Sequence, residues 1–233
     1  MSIEKPEQMV LPIALSDKAS FENFYLGSNS ELVHAIRSSV ESAEPKLIYF
    51  YGNQSSGKSH LLFSATRLAD TASIANSYLS LADPYVSQKM LEMVNTAGIV
   101  CIDNAHAWAG DEDKEQTLFA LFEQVKHSSG RLLISAERTP DKCGFKLKDL
   151  ISRLSSGLIY PLRDLSEEQQ YQALKLRANH RALVISDKTF RYLLSRSSRD
   201  TSELFAILDR IDKTSLEERR KVTIPFLQAF LES

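Results

Sequence analysis

The sequence predicts an α/β fold, a parallel five-stranded sheet between helices, followed by a small all-helical domain. Three observations predict it. Up to about residue 163, short apolar runs alternate with helix-like stretches, the pattern of a parallel sheet covered on both faces. Within that alternation, Gly52-Asn-Gln-Ser-Ser-Gly-Lys-Ser59 is a complete G-x-x-x-x-G-K-[ST] phosphate-binding loop. From Ser166 onward the stretches are helix-like, with no strand-like run longer than three residues.

The elements follow in order. Met1 to Glu7 is polar and carries Pro6; Gln8-Met-Val-Leu-Pro-Ile13 is a short apolar patch stiffened by Pro12, so residues 1–15 read as an extended arm. Asn29 or Ser30 caps a helix running to about Val40. Lys46 to Tyr51 is an apolar, aromatic run that reads as a buried strand, and Ser59 to Leu68 is a helix whose N-terminus faces the loop. Ile74 to Leu81 is a strand, and Pro84 to Val94 a helix with Pro84 in its first turn. Gly98 to Asp103 is a buried strand ending in an acid, and Asp113 to His127 carries a helical apolar stripe with Gly130 just beyond its end. Arg131 to Ser135 is a strand, Leu147 to Leu154 a short helix, and Leu158 to Tyr160 the last strand. Ser166-Glu-Glu-Gln169 opens the tail as a capping box. Helices are expected at 166–180, 187–195, 201–213 and 222–232. The predicted units are an arm at 1–15, an α/β nucleotide-binding domain at 16–163 and a helical domain at 164–233.

The loop defines the chemistry. Its glycines free the backbone to curl so that successive N–H groups point at phosphate oxygens. Gly52, Asn53, Gln54, Ser55, Ser56, Gly57, Lys58, Ser59 and His60 are the candidate phosphate contacts, with Lys58 the cation for the terminal phosphates and Ser59 the hydroxyl offered to Mg²⁺. Asp103, at the carboxyl end of an apolar strand, is the second candidate metal group. Asn104 follows it. An amide cannot take a proton from an attacking water, so intrinsic hydrolysis should be slow or absent and a bound diphosphate a plausible resting ligand; Asp111, Glu112 and Asp113 are the nearby acids that could substitute. Ser135, Glu137 and Arg138 end a strand and either sense the terminal phosphate or solvate a loop. Arg153 either complements the dipole of its short helix or serves as an arginine finger for a neighbour's nucleotide.

Composition narrows the classes. The net charge of −2 gives no broad drive toward nucleic acid. Two cysteines, Cys101 and Cys143, cannot build a metal site alone, and Cys101 reads as a buried core thiol. No run approaches 18 uninterrupted apolar residues and the start lacks a signal-peptide pattern, so the cytoplasm is the expected compartment and no membrane contact is expected.

Together these residues resemble the AAA+ ATPases, and within them the DnaA-related members. Phe21-Glu-Asn-Phe-Tyr-Leu-Gly-Ser-Asn29 is similar to the segment that lines the base pocket in that family, which implies nucleotide contacts from Phe21, Phe24 and Leu26. The loop, Cys101-Ile-Asp103 and Leu150 to Leu154 fall in the family's order. The sequence runs to Ser233, past a helical lid and without a DNA-reading helix-turn-helix domain, as in the shorter Hda-type regulators. Gln8, Met9, Val10, Leu11, Pro12 and Ile13 resemble those regulators' sliding-clamp-binding motif, and Arg220 to Phe226 their carboxyl end.

The resemblance implies a protein that holds ADP (or another nucleoside diphosphate) with Mg²⁺ and sits on the DNA polymerase III sliding clamp. It would meet DNA through that clamp and stimulate ATP hydrolysis by the initiator DnaA through Arg153, preventing re-initiation. A homo-oligomer is compatible with a finger that works between subunits. Ser202 stands where the family carries a lid arginine, with Arg199 three residues earlier. Two other classes share the loop. A helicase-loader-like ATPase binding single-stranded DNA would need a basic groove, for which Lys146, Lys148, Arg181, Arg191, Arg196 and Arg199 are scattered candidates. A small-molecule phosphoryl transferase would need a lid rich in arginines.

Overall fold

A computed structural model of the protein describes residues 19–196 and 200–232. The first part runs α1 (Ser30–Glu41), β1 (Leu47–Tyr51), α2 (Lys58–Thr71), β2 (Asn76–Ser80), α3 (Gln88–Glu92), β3 (Ile99–Asp103), α4 (Glu112–His127), β4 (Arg131–Ala136), α5 (Lys148–Leu154) and β5 (Leu158–Pro161). The strands form one parallel five-stranded sheet in the order β2-β3-β4-β1-β5. The apolar runs are continuous because both faces are covered. On one face Ile48, Phe50, Ile99, Cys101 and Leu133 pack against Ile36 of α1 and Leu61 and Leu62 of α2. On the other, Tyr49, Val100, Ile102, Leu132 and Ile134 pack against Leu118 and Leu121 of α4 and Leu150 and Leu154 of α5.

Parallel pairing puts the carboxyl ends of the strands along one edge. Phe50 lies opposite Ser135 and Tyr51 opposite Ala136, so the chain leaves β1 into the phosphate loop beside the end of β4. Ser80 lies opposite Asp103 at the neighbouring ends of β2 and β3. Gly98 and Gly130 enter β3 and β4 where a side chain has no room: an added Cβ would lie 1.9 Å from the Ala75 carbonyl at one and 1.9 Å from the Thr96 carbonyl at the other.

The tail folds as α6 (Glu167–His180), α7 (Asp187–Arg196), α8 (Thr201–Glu218) and α9 (Ile224–Glu232). The capping box at Ser166 and Gln169 forms as the sequence predicts. Tyr171, Leu174, Phe190, Leu204 and Leu208 make one apolar cluster, and Leu193, Ile211, Val222, Phe226 and Leu227 a second. Arg177 and Arg181 reach across to Asp209, with Arg181 also 3.6 Å from Asp212. No helix among the described residues is long and apolar enough to cross a membrane.

The structure departs from the sequence reading in places. The helix expected from Pro84 shrinks to α3, because Asp83 turns the chain instead: its backbone N–H donates to Ser80 and its carboxylate accepts the Tyr85 N–H at 3.0 Å. Helix α8 runs past residue 213 to Glu218, since Leu204, Leu208, Ile211 and Ser215 continue one buried stripe. Short 3₁₀ turns at Phe21–Asn23, Ala105–Trp108 and Pro140–Lys142 carry no apolar periodicity to announce them.

Glu115 is fully buried in α4 and has an identifiable task. Its carboxylate accepts the backbone N–H groups of Gly110, Lys146 and Leu147 at 2.7 to 3.1 Å. It thereby pins the approach to α5 onto α4. Replacing Glu115 by Ala leaves these buried donors without acceptors and should destabilise the fold by about 2–4 kcal/mol, read as a lower urea midpoint at unchanged slope.

Candidate nucleotide-binding site

The phosphate loop is anchored at its first residue by backbone neighbours on two sides. Gly52 N–H donates to the Ala136 carbonyl at 3.2 Å, and the Leu162 carbonyl lies 2.6 Å from where a Cβ at Gly52 would sit. Ser55 (φ 64°) and Gly57 (φ 100°) adopt left-handed backbone, which turns the loop concave toward the first turn of α2. Phe24 packs against Gly57, its ring edge 3.0 Å from an added Cβ, and lies 5.3 Å from the His60 ring. The Lys58 ammonium folds across the loop and donates to the Gly52 and Asn53 carbonyls at 2.8 and 2.6 Å. Burial lowers its pKa, while Asp103, Glu137 and Asp164 pull it back up.

Asp103 is the centre of the site. Only 1% exposed, its carboxylate accepts from Ser59 Oγ at 2.5 Å, Tyr78 OH at 2.7 Å, Ser135 Oγ and the Asn104 N–H. These donors come from α2, β2, β4 and the residue after β3. The pairing of Ser59 with Asp103 fits a hard divalent cation. Both offer oxygen, the set lies beside a phosphate loop, and no group of three or more His, Cys, Asp or Glu among the described residues competes to hold a metal. Asn104 has left-handed backbone and donates its side-chain amide to Ser80 Oγ at 3.2 Å.

The acids that could have replaced a base at Asn104 are occupied elsewhere. Asp111 caps α4 and pairs with Lys114, which holds its carboxyl below the usual range, and Glu112 and Asp113 form the first turn of that helix. At the end of β4, Ser135 is buried and bound to Asp103 rather than open to a terminal phosphate. Glu137 lies 3.4 Å from His106, and the Arg138 carbonyl accepts the hydroxyl of Tyr49. Cys101 is a buried thiol whose pKa is pushed up by burial and then by Asp103.

Phe21, Phe24 and Leu26 line one cleft of 660 Å³ with Gly27, Arg37 and, from the tail, Gln169. Phe21 is nearly buried there, beneath the Arg37 guanidinium at 4.7 Å, whereas Leu26 is exposed. A second cleft of 390 Å³ lies between Gln54 and Ser55 of the loop and Asp164, Ser166, Asp200 and Thr201 of the tail. Here the helical domain touches the loop: Ser202 Oγ is 2.9 Å from Ser55 Oγ, and Asn53 donates to Asp164 at 2.5 Å. Asp200 caps α8, accepting from the backbone of Ser202 and Glu203.

Arg153 belongs to none of this cluster. It sits in the last turn of α5, its Nε 2.8 Å from Glu123 of α4, an ion pair by distance without hydrogen-bond alignment. The arm at Gln8–Ile13 and Arg199 lie outside the described residues. Sequence reasoning passed over Tyr78, Ser80 and Glu123. The signal for Tyr78 was parity: on a strand paired in parallel with β3, it faces the same side as Asp103.

The Ser202 hydroxyl and the neighbouring N–H groups hold the Asp200 carboxyl below its ordinary value of 3.8. A depressed folded-state pKa means the stabilisation is complete above 3.8 and is lost as pH falls through the lower folded value. Asp200→Ala should therefore cost about 1 kcal/mol at pH 7, and the gap from wild type in urea unfolding should close at strongly acid pH.

Residues 15–161 match the family model of the bacterial DnaA ATPase domain, and residues 167–231 match that of the Hda lid domain. Solved structures share the fold. Domain III of the Thermotoga maritima replication initiation protein DnaA superposes with a TM-score of 0.75 at 19% identity, covering 92% of this chain and 97% of that one. AMPPCP-bound DnaA from Aquifex aeolicus gives 0.71 at 20% identity, covering 88% and 68%. The Thermotoga maritima RuvB branch migration motor gives 0.69 at 17% identity, covering 94% and 72%. The chain belongs to the DnaA-related AAA+ ATPase family, with a lid domain of the Hda type.

Proposed function

We propose that the protein regulates replication initiation: it holds a nucleoside diphosphate, engages the DNA polymerase sliding clamp through Gln8–Ile13, and stimulates ATP hydrolysis by the initiator DnaA. The observation that carries this reading is the separation of Arg153 from the protein's own loop. Its side chain is 42% exposed at a helix end and is paired with Glu123, whereas the loop's own cation is Lys58. A guanidinium so placed is available to a second molecule. In a partner's site it would neutralise charge that develops on the transferring phosphoryl group.

The protein's own site supports binding more than turnover. Lys58 and the loop N–H groups receive phosphate oxygens, and Ser59 with Asp103 holds the metal. Magnesium, when bound, screens the phosphate charge there. Beside Asp103, the position suited to a base holds the Asn104 amide, which is engaged with Ser80 and cannot accept a proton. Over the loop the lid presents Ser202 and the carboxylates of Asp164 and Asp200. Adenine is the base expected from the family; Phe24 and Leu26 offer it apolar contact and Phe21 supports them from the core.

A single-strand-binding role finds little support. Arg181 is spent on Asp209 and Asp212, and Arg191 and Arg196 lie over the rings of Tyr171 and Tyr192.

Arg153→Ala should leave clamp binding intact and lower stimulated hydrolysis by the initiator about 10³-fold or to its unstimulated rate. Phosphate release from an initiator–clamp–DNA mixture measures this, and equal stimulation by both proteins refutes the finger. Deleting Gln8–Ile13 should abolish retention on immobilised clamp while nucleotide affinity stays unchanged; continued retention would show that the arm is incidental.

A further inference from the structure

The hydroxyl of Tyr78 is the least expected donor to Asp103. Ser59, Ser135 and the Asn104 N–H are neighbours of the carboxylate in the loop, on the adjacent strand or in the chain. Tyr78 stands two residues back, opposite Cys101, in the middle of β2. Two strand residues advance about 6.6 Å, and a phenol is long enough to span that distance along the sheet face. Its hydroxyl arrives 2.7 Å from Asp103 Oδ2, the same oxygen that accepts from Ser59. Its ring stacks on Phe63 of α2 at 4.2 Å, so the side chain braces the helix that carries Lys58 and Ser59 against the strand that carries Asp103.

The geometry points to Tyr78 as a positioning residue for the metal-binding carboxylate, one that sets the Mg²⁺ dependence of nucleotide binding. This rests on the nucleotide reading given above. A carboxylate has about four lone-pair directions, and the donors around Asp103 fill them. Ser59 would bind a metal through an oxygen lone pair and keep its O–H for the carboxylate, so its own position would be shared between the ion and Asp103. Tyr78 and Ser135 hold the carboxylate, one on each oxygen. Partners of this kind fix a ligand's direction, and their removal usually weakens metal affinity by about 10–100-fold.

Tyr78→Phe removes the hydroxyl and keeps the ring on Phe63. The full chain would be titrated with fluorescent mant-ADP in EDTA and across a Mg²⁺ series, below the lower of the two thermal midpoints. The expected result is an EDTA affinity within about twofold of wild type and a Mg²⁺ midpoint raised about tenfold. An unchanged Mg²⁺ midpoint overturns the assignment. So does an equal loss with and without Mg²⁺, which is the mark of a purely structural residue. A wild-type chain that binds no mant-ADP at any Mg²⁺ level overturns the nucleotide reading itself. Tight wild-type binding with an indistinguishable Tyr78→Phe overturns the Tyr78 assignment alone.

Discussion

A buried carboxylate ties the nucleotide end of this molecule together. Asp103 can remain 1% exposed only because hydroxyl and N–H donors surround it; an unpaired charge at that depth would cost several kcal/mol. Satisfying it draws together α2, β2, β3 and β4. The same requirement fixes where Ser59 points and holds Ser135 away from solvent. Two further buried charges, Lys58 and Glu115, are met by backbone groups. Lys58 closes the loop, and Glu115 fastens the approach to α5. Loop and α5 are thus anchored separately on one sheet, each by a charge satisfied locally.

The described lining of the cleft between the helical domain and Gln54 and Ser55 holds no cation, although Arg177 of the tail acts on His60. Asp200 spends its charge on the first turn of α8, and Ser202 reaches Ser55 through hydroxyls. Negative groups beside a phosphate site weaken its hold on a highly charged ligand. Under the proposed reading that arrangement favours the less charged diphosphate over a triphosphate, and the amide at Asn104 agrees with it.

Much of the fold was legible because its signals are local. The apolar runs of β1, β3 and β4, the loop glycines, the capping box at Ser166 and the stripe of α4 each state their structure within a few residues. The nearness of Asp103 and Ser59 follows from the same local patterns, which place a strand end beside the loop. What escaped depends on long-range placement. Tyr78 reads as an ordinary strand aromatic until β2 is set beside β3. Ser135 reads equally as a phosphate sensor or a loop-solvating group until its hydroxyl is seen to turn inward to Asp103. Glu123 carries no signal of its own, and only the packing of α5 on α4 brings it to Arg153. The helix expected at Pro84 failed because Asp83 makes a turn whose hydrogen bonds outcompete a weak helical stripe.

The pairing of Arg153 with Glu123 also bears on reversibility. A half-exposed contact of this sort contributes roughly 0–1 kcal/mol, too little to imprison the guanidinium and enough to hold it against α4. In the proposed role, docking on a triphosphate would exchange one anion for another, and the side chain would cross between two protein surfaces without standing charged and alone. In that role the resident carboxylate would take the arginine back once the foreign phosphate had departed, leaving the same molecule free to visit the next initiator.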